Sequence, residues 1–200
     1  MAMEEKIGEI LSFWFDPPPA GEERPHGADL WFEKHPAVER QITRRFGRSV
    51  ERARAGEIDA WGATPRGRLA LILLLDQFTR RIHRETPEMF AGAERALALC
   101  LDGLDDDMDK ALGSLERAFF YMPCMHAEDV DIQLTSVEVY QELVASAPPE
   151  QKKLCERFLA LARSHRDVVE RFERFPHRNA ILDRTSTPEE SAFLQHSGQL

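Results

Sequence analysis

Cysteine is scarce in this 200-residue chain. The three present, Cys100, Cys124 and Cys155, are an odd number with no Cys-x-x-Cys pair. A disulfide framework and a thiolate zinc cage are therefore both unsupported, and inert core thiols in a reducing compartment are the expectation. Long apolar runs are missing too: the longest, Leu69 to Leu75, is far short of a membrane span. The opening MAMEEKIGEILSFWF is acidic and its apolar run is too short for a signal peptide, so the cytoplasm is the expected location. Basic charge is in deficit, 26 Lys and Arg against 35 Asp and Glu, a net of −9. Nucleic acid is therefore not an expected partner, although one cleft can still be locally basic. No Walker loop, Rossmann glycine pattern or nucleophile elbow occurs, and no cofactor is implied. No stretch alternates apolar and polar residues as a half-buried strand would.

What remains is helical periodicity. With 42% hydrophobic and 30% charged residues the chain is globular, and at this length it buries roughly 70% of its unfolded surface without a staple. One domain over 1–200 is expected. Ile7, Ile10, Leu11 and Trp14 begin a first helix, which Asp16-Pro17-Pro18-Pro19 stops, and 16–29 reads as a polar loop. Pro36 opens a second helix through Val38, Ile42, Phe46 and Val50, with Gly56 as its stop. Thr64-Pro65 caps a third, apolar on nearly every side through Leu75 and therefore central, which runs on into the polar stretch Asp76 to Arg84. Thr86-Pro87 begins a fourth ending at Gly103, and a fifth leads from the aspartate cluster to Met122, where Pro123 breaks it. Two more carry Val130 to Val144 and Leu154 to Phe172, divided by Pro148-Pro149. A turn region follows at 176–186. Thr187-Pro188-Glu189-Glu190 then has capping-box spacing, ahead of a tail at 196–200 expected to fray. The reading is all-α, about eight antiparallel helices.

Two metal-like patterns fail on inspection. His126-Ala127-Glu128 matches half of the zinc deaminase signature, but the downstream Pro-Cys-x-x-Cys is absent. Asp105, Asp107 and Asp109 with Glu116 imitate a calcium loop, but its sixth position needs glycine and here holds Lys110. Acidic groups at a helix start are the simpler account, and no metal is expected.

Two stretches sit oddly for a plain structural role. Asp76 and Arg80 are four apart, so they share one helix face directly after the buried run. Arg171 and Arg174 are also close on a helix surface, and the turn after Phe175 adds His177, Arg178 and Asn179. Guanidinium forks suit carboxylate and phosphate. His126 or His165, with Glu128, are candidate bases, although no spacing places them together.

Taken together, ILSFWF (Ile10 to Phe15), WF (Trp31-Phe32), AWGATPRGRLALILLLDQFTRRIHR (Ala60 to Arg84), PCMHAED (Pro123 to Asp129) and the stretch from His165 to Leu194 resemble a bacterial family, domain of unknown function 924. The resemblance implies a helical array similar to tetratricopeptide repeats, although no tidy ~34-residue repeat is visible. It implies no chemistry, since the family has no established activity. The family pattern has proline where Thr79 stands, serine for Ala127, and glycine for Glu173 and Asp183; the two glycines matter if they allow close approach to a ligand.

The leading expectation is a binding module for a small anion or a peptide. Arg80, Arg171 and Arg178 would clamp the anion, with Asp76, His126, Glu128, His177 and Asn179 around it. The rival is a hydrolase or transferase on a small anionic substrate with His126 or His165 as base. The third is a latch that only fastens the C-terminal segment.

Overall fold

The computed structural model describes residues 3–196. Among them there is no strand, and the eight expected helices are all present in an all-α single domain. Most of the expected tail, 197–200, lies outside the described residues; His196 ends the last helix.

Helix α1 (Met3–Phe15) buries Ile7, Ile10, Leu11, Phe13 and Trp14. The loop after it is less irregular than expected. Buried Arg24 lies over the Phe13 ring and donates to the Asp16 carbonyl, so the polyproline turn is pinned. A short helix, α2 (Ala28–Phe32), already contains Asp29; it forms because Leu30 is buried and Trp31 Nε1 donates to the Trp14 carbonyl at 3.0 Å. Helix α3 (Pro36–Arg54) has proline in its first turn and buries Val38, Ile42, Phe46, Val50 and Ala53, the expected stripe. Gly56 follows at φ 79°, a value glycine adopts without strain.

The central helix is α4 (Pro65–Ile72), capped by Thr64 accepting from the Gly67 amide at 3.2 Å. Leu69 to Leu75 are all fully buried, as their lack of a polar face implied. It does not continue as a plain α-helix. Leu73–Phe78 form a π turn before α5 (Thr79–Ile82) resumes. The Thr79 hydroxyl donates to the Leu74 carbonyl, reinforcing the widened turn.

Three boundaries differ from the sequence reading. Thr86-Pro87 opens a 3₁₀ turn (Pro87–Phe90), and α6 begins only at Ala93. α6 (Ala93–Asp105) also passes through Gly103, because a side chain there would meet the Phe120 ring at 2.5 Å; close packing, not termination, explains that glycine. Pro123 does not break a helix: the break is at Tyr121, between α7 (Ser114–Phe120) and α8 (Met122–Met125), and Pro123 occupies the first turn of α8.

Helices α9 (Val130–Ser146) and α10 (Pro149–Phe172) form a hairpin across Ala147-Pro148. Tyr140 and Phe158 stack between them, with ring centres 6.1 Å apart and planes 15° apart. Trp14, Phe78, Phe119 and Phe158, all fully buried, lie at the centre of the core. Burying one such side chain contributes on the order of 1.5–3 kcal/mol. A smaller cluster of Val168, Val169 and Phe175 seats the C-terminal turn (Pro176–Arg178). The last helix, α11 (Pro188–His196), is opened by the anticipated box: the Glu190 amide donates to Thr187 Oγ1, and the Thr187 amide to Glu190.

Candidate functional site

Asp76 lies within the π turn and is buried among core aliphatics. Its carboxylate is 1% exposed and accepts three side-chain hydrogen bonds. Arg80 Nε donates at 2.9 Å, Gln77 Nε2 at 2.6 Å, and His126 Nδ1 lies 2.9 and 3.0 Å from its two oxygens. Burial alone would raise this carboxyl, but His126 and Arg80 outweigh it and hold it well below the usual carboxylate range. Burial pushes the His126 imidazolium down, against the pull of Asp76. The pair is thus an ionised carboxylate with a neutral imidazole whose Nδ1–H it accepts, which leaves Nε2 as a lone-pair acceptor. That nitrogen has no protein partner among the described residues.

A second layer comes from the C-terminal turn. Arg178, 7% exposed, donates through Nη2 to the His126 carbonyl at 2.9 Å, and its Nη1 lies 3.8 Å from Glu128. Its guanidinium sits over the Phe175 ring at 4.3 Å and the Phe90 ring at 5.0 Å. Arg80 approaches the same Phe90 ring at 5.2 Å. Burial first, and Arg80 second, pull Arg178 down to about 9. Glu128 is gripped by Arg184 (Nη1 at 2.7 Å, Nη2 at 3.0 Å) and by the Phe175 amide at 2.8 Å. These contacts overcome the effect of burial and keep Glu128 below its ordinary range.

Two further histidines stand close by. His165 Nδ1 is 2.8 Å from the Leu161 carbonyl, which fixes Nδ1 as donor, and the ring centre is 6.4 Å from that of His126. Burial holds His165 near 4; burial and the adjacent Arg178 hold His177 near 4 as well. Both are neutral at pH 7. Three guanidiniums (Arg80, Arg178, Arg184) thus face two carboxylates (Asp76, Glu128), and buried donors are left over. Arg80 Nη2, Arg178 Nε and His177 Nδ1 have no partner among the described residues. An open cleft of about 300 Å³, lined by Asp76, His126, Glu128, Asp129 and Arg178 together with Glu94 and Leu97 of α6, adjoins Arg178; Arg80 and His177 do not line it. That is the small end of ligand-pocket volumes.

The family described as bacterial proteins of unknown function (DUF924) matches residues 10–198. The chain belongs to this family. A solved structure of a protein of unknown function from Agrobacterium tumefaciens is 35% identical, covers 98% of this chain and 100% of its own, and has a TM-score of 0.83. Comparison with curated proteins gives no match.

Within that family frame, the departures acquire physical reasons. Glu173 (φ 56°) and Asp183 (φ 52°) both have left-handed backbone, with Glu173 ending α10. Both positions have the backbone that glycine adopts without strain, a helix C-cap in the case of Glu173. Thr79 follows the π turn, a place where the regular ladder is already interrupted.

Of the residues singled out from sequence, Asp76, Arg80, His126, Glu128, His165, His177 and Arg178 come together. Arg171 does not: it is exposed and paired with Glu189 at 2.7 Å, while Arg174 pairs with Glu190 at 2.6 Å, so both fasten α11. Asn179 is buried but ties the turn to Ser186 Oγ at 3.0 Å. Arg184 and Gln77 were missed. Arg184 acts on Glu128 from 56 residues away, and no spacing in the sequence signals that.

The metal-like motifs are absorbed structurally. Asp109 is buried and accepts from Tyr121, with Arg117 at 3.3 Å, while Glu116 caps the Gly113 amide. Among the described residues no group of three His, Cys, Asp or Glu side chains is arranged to hold a metal ion. The three cysteines are free and buried, with Cys100 and Cys124 Sγ 3.5 Å apart. Among the described residues no helix is long and apolar enough to cross a membrane.

Proposed function

We propose that this cleft is a binding site for a small anion, a carboxylate or phosphate group, with Arg178 in its wall as the charge partner, the nearby Arg80 adding to the positive field, and His126 Nε2 as an orienting acceptor. The observation that carries the reading is the excess of buried, unpartnered guanidinium N–H groups, Arg178 Nε and Arg80 Nη2, on two cations that repel each other across the Phe90 ring. Buried donors without partners cost about 1–3 kcal/mol each, more when charged, and an anion relieves that cost. Glu94 and Asp129 in the cleft wall, besides the paired Asp76 and Glu128, favour a ligand that also carries donors, such as a hydroxy acid or the amino end of a peptide. A tetratricopeptide-like stack around the α9–α10 hairpin fits the peptide form of the ligand. A cytoplasmic setting accords with three cysteines that all lie buried as small apolar side chains.

The test is calorimetric titration with a panel of small carboxylates and phosphate monoesters. One class binds saturably, and Arg178→Gln weakens it at least tenfold. No binding at millimolar ligand, or equal binding by the variant, would sink the proposal and leave the latch.

The Asp76–His126 pair favours one second reading, hydrolysis of a small anionic substrate. An Nδ1–H held on a carboxylate with a free Nε2 facing a cleft is the arrangement of a general base acting on water. Here His126→Gln abolishes turnover on an ester panel while binding persists; turnover that survives the substitution eliminates this reading.

A further inference from the structure

A second concavity lies on the opposite half of the sequence, between α1, α3 and the turn carrying Trp61. It is an open groove of about 690 Å³, lined by Lys6, Arg44, Arg45, Arg48 and Arg52, with Trp61 in its wall. No carboxylate lines it, in a chain whose net charge is −9. Arg44, Arg48 and Arg52 recur every fourth residue, so they form one row along α3, eight residues or about 12 Å long. Like charges at this spacing each cost a few tenths of a kcal/mol, so the row forms against its own repulsion.

The acidic neighbours neutralise part of it and leave Arg44 and Arg48. Lys6 and Arg45 share Glu9 at 2.7 and 3.3 Å, and Arg52 takes Glu57 at 3.1 Å, all outside the lining. Arg44 and Arg48 are exposed and have no carboxylate partner among the described residues. The apolar wall is buried: Trp61 is 7% exposed and Ile58 4%. A cationic row beside a wall whose apolar side chains are buried is the complement of a ligand with several phosphates.

We propose that this groove binds a small oligophosphate, a ligand carrying two or more linked phosphate groups. Guanidinium forks match phosphate oxygens two at a time, and a single carboxylate would meet one of the two unpaired guanidiniums, Arg44 and Arg48, and leave the other. The volume is that of a small-molecule site, and a 12 Å row spans a polyphosphate chain rather than a nucleic-acid tract.

The experiment is titration of the full chain with inorganic tripolyphosphate and with a nucleoside triphosphate at low salt, followed by Trp fluorescence and calorimetry. Both probes bind saturably, and affinity falls as salt rises. The double variant Arg44→Gln/Arg48→Gln, both exposed and therefore neutral to folding, weakens binding at least tenfold. Arg178→Gln, in the other cleft, leaves it unchanged. A fluorescence change lost in Trp61→Phe places the bound phosphates beside Trp61, and equal binding of the two probes makes the phosphate chain the whole determinant. Absence of saturable binding, or a double variant that binds as well as the wild type, overturns the proposal. So does a short single-stranded oligonucleotide that binds more tightly than either probe, which would make the groove a nucleic-acid surface.

Discussion

Replacing Asp76 by asparagine keeps the shape of the side chain and removes its charge. Three donors meet that carboxylate: Arg80 Nε, Gln77 Nε2 and His126 Nδ1. An asparagine offers one oxygen and one NH₂ in place of two oxygens. Gln77 can rotate its amide and His126 can change tautomer, so each can face an N–H, but Arg80 has no acceptor to offer. The amide oxygen therefore stays on Arg80 Nε, but the counter-charge is gone, so the loss is that of the ion pair to Arg80, whose side chain is 17% exposed. Breaking a buried pair by removing one partner costs about 3–5 kcal/mol; with Arg80 partly hydrated, the expected cost is near the lower end, about 3 kcal/mol. In a domain of this length that lowers Tm by about 6–12 °C. Urea unfolding followed by circular dichroism measures the difference directly. Arg80→Met in the same background should recover part of the loss, because the orphaned charge goes with it. A single Asp76→Asn variant within about 0.5 kcal/mol of wild type would refute the reasoning, since Asp76 would then not be holding Arg80 and His126.

Glu173→Gly and Asp183→Gly should each raise stability by about 1 kcal/mol by removing left-handed strain from a residue with a side chain; a lower melting point for either would show that chain entropy dominates there. Gly92→Ala should cost about 2 kcal/mol, because a methyl group there collides with the Leu75 carbonyl in the π turn, and an unchanged urea midpoint would count against that contact. Stability should also fall on acidification. His165 is held near 4 in the fold and titrates near 6.5 when unfolded. Between those values the unfolded chain takes up a proton that the folded chain refuses, so stability drops from about pH 6.5 down to 4, by at most about 1.4 kcal/mol per pH unit from this group. His165→Leu should flatten that stretch of the urea-midpoint profile, and a slope that persists unaltered assigns it elsewhere.

What was local could be read from the residues. Thr64, Thr187 and Pro36 stand where cap and first-turn chemistry put them, and the aliphatic run through Leu75 marked the central helix before any packing was known. The Asp76–Arg80 pair was equally plain from its spacing of four. What was not legible depends on contacts between distant segments. The π turn arises where Leu73–Phe78 must present both core aliphatics and a carboxylate, and an apolar pattern does not record a shift from i+4 to i+5 bonding. His126 meets Asp76 across 50 residues. Arg171 and Arg174 lie on one surface as their spacing required, but the acids that claim them, Glu189 and Glu190, come from a helix folded back alongside. A donor-rich stretch can signal a site or a fastening, and only its partners tell which.

The central claim is that the leftover donors around Arg178 are there for an anion. Calorimetric titration of small carboxylates and phosphate monoesters into wild type and Arg178→Gln, side by side, tests it most directly. Saturable one-to-one binding by wild type, weakened at least tenfold in the variant, is the result the account predicts. A wild-type chain that takes up no member of either class, with Arg178→Gln altering only its stability, would contradict it and leave the cluster as a latch for the C-terminal turn.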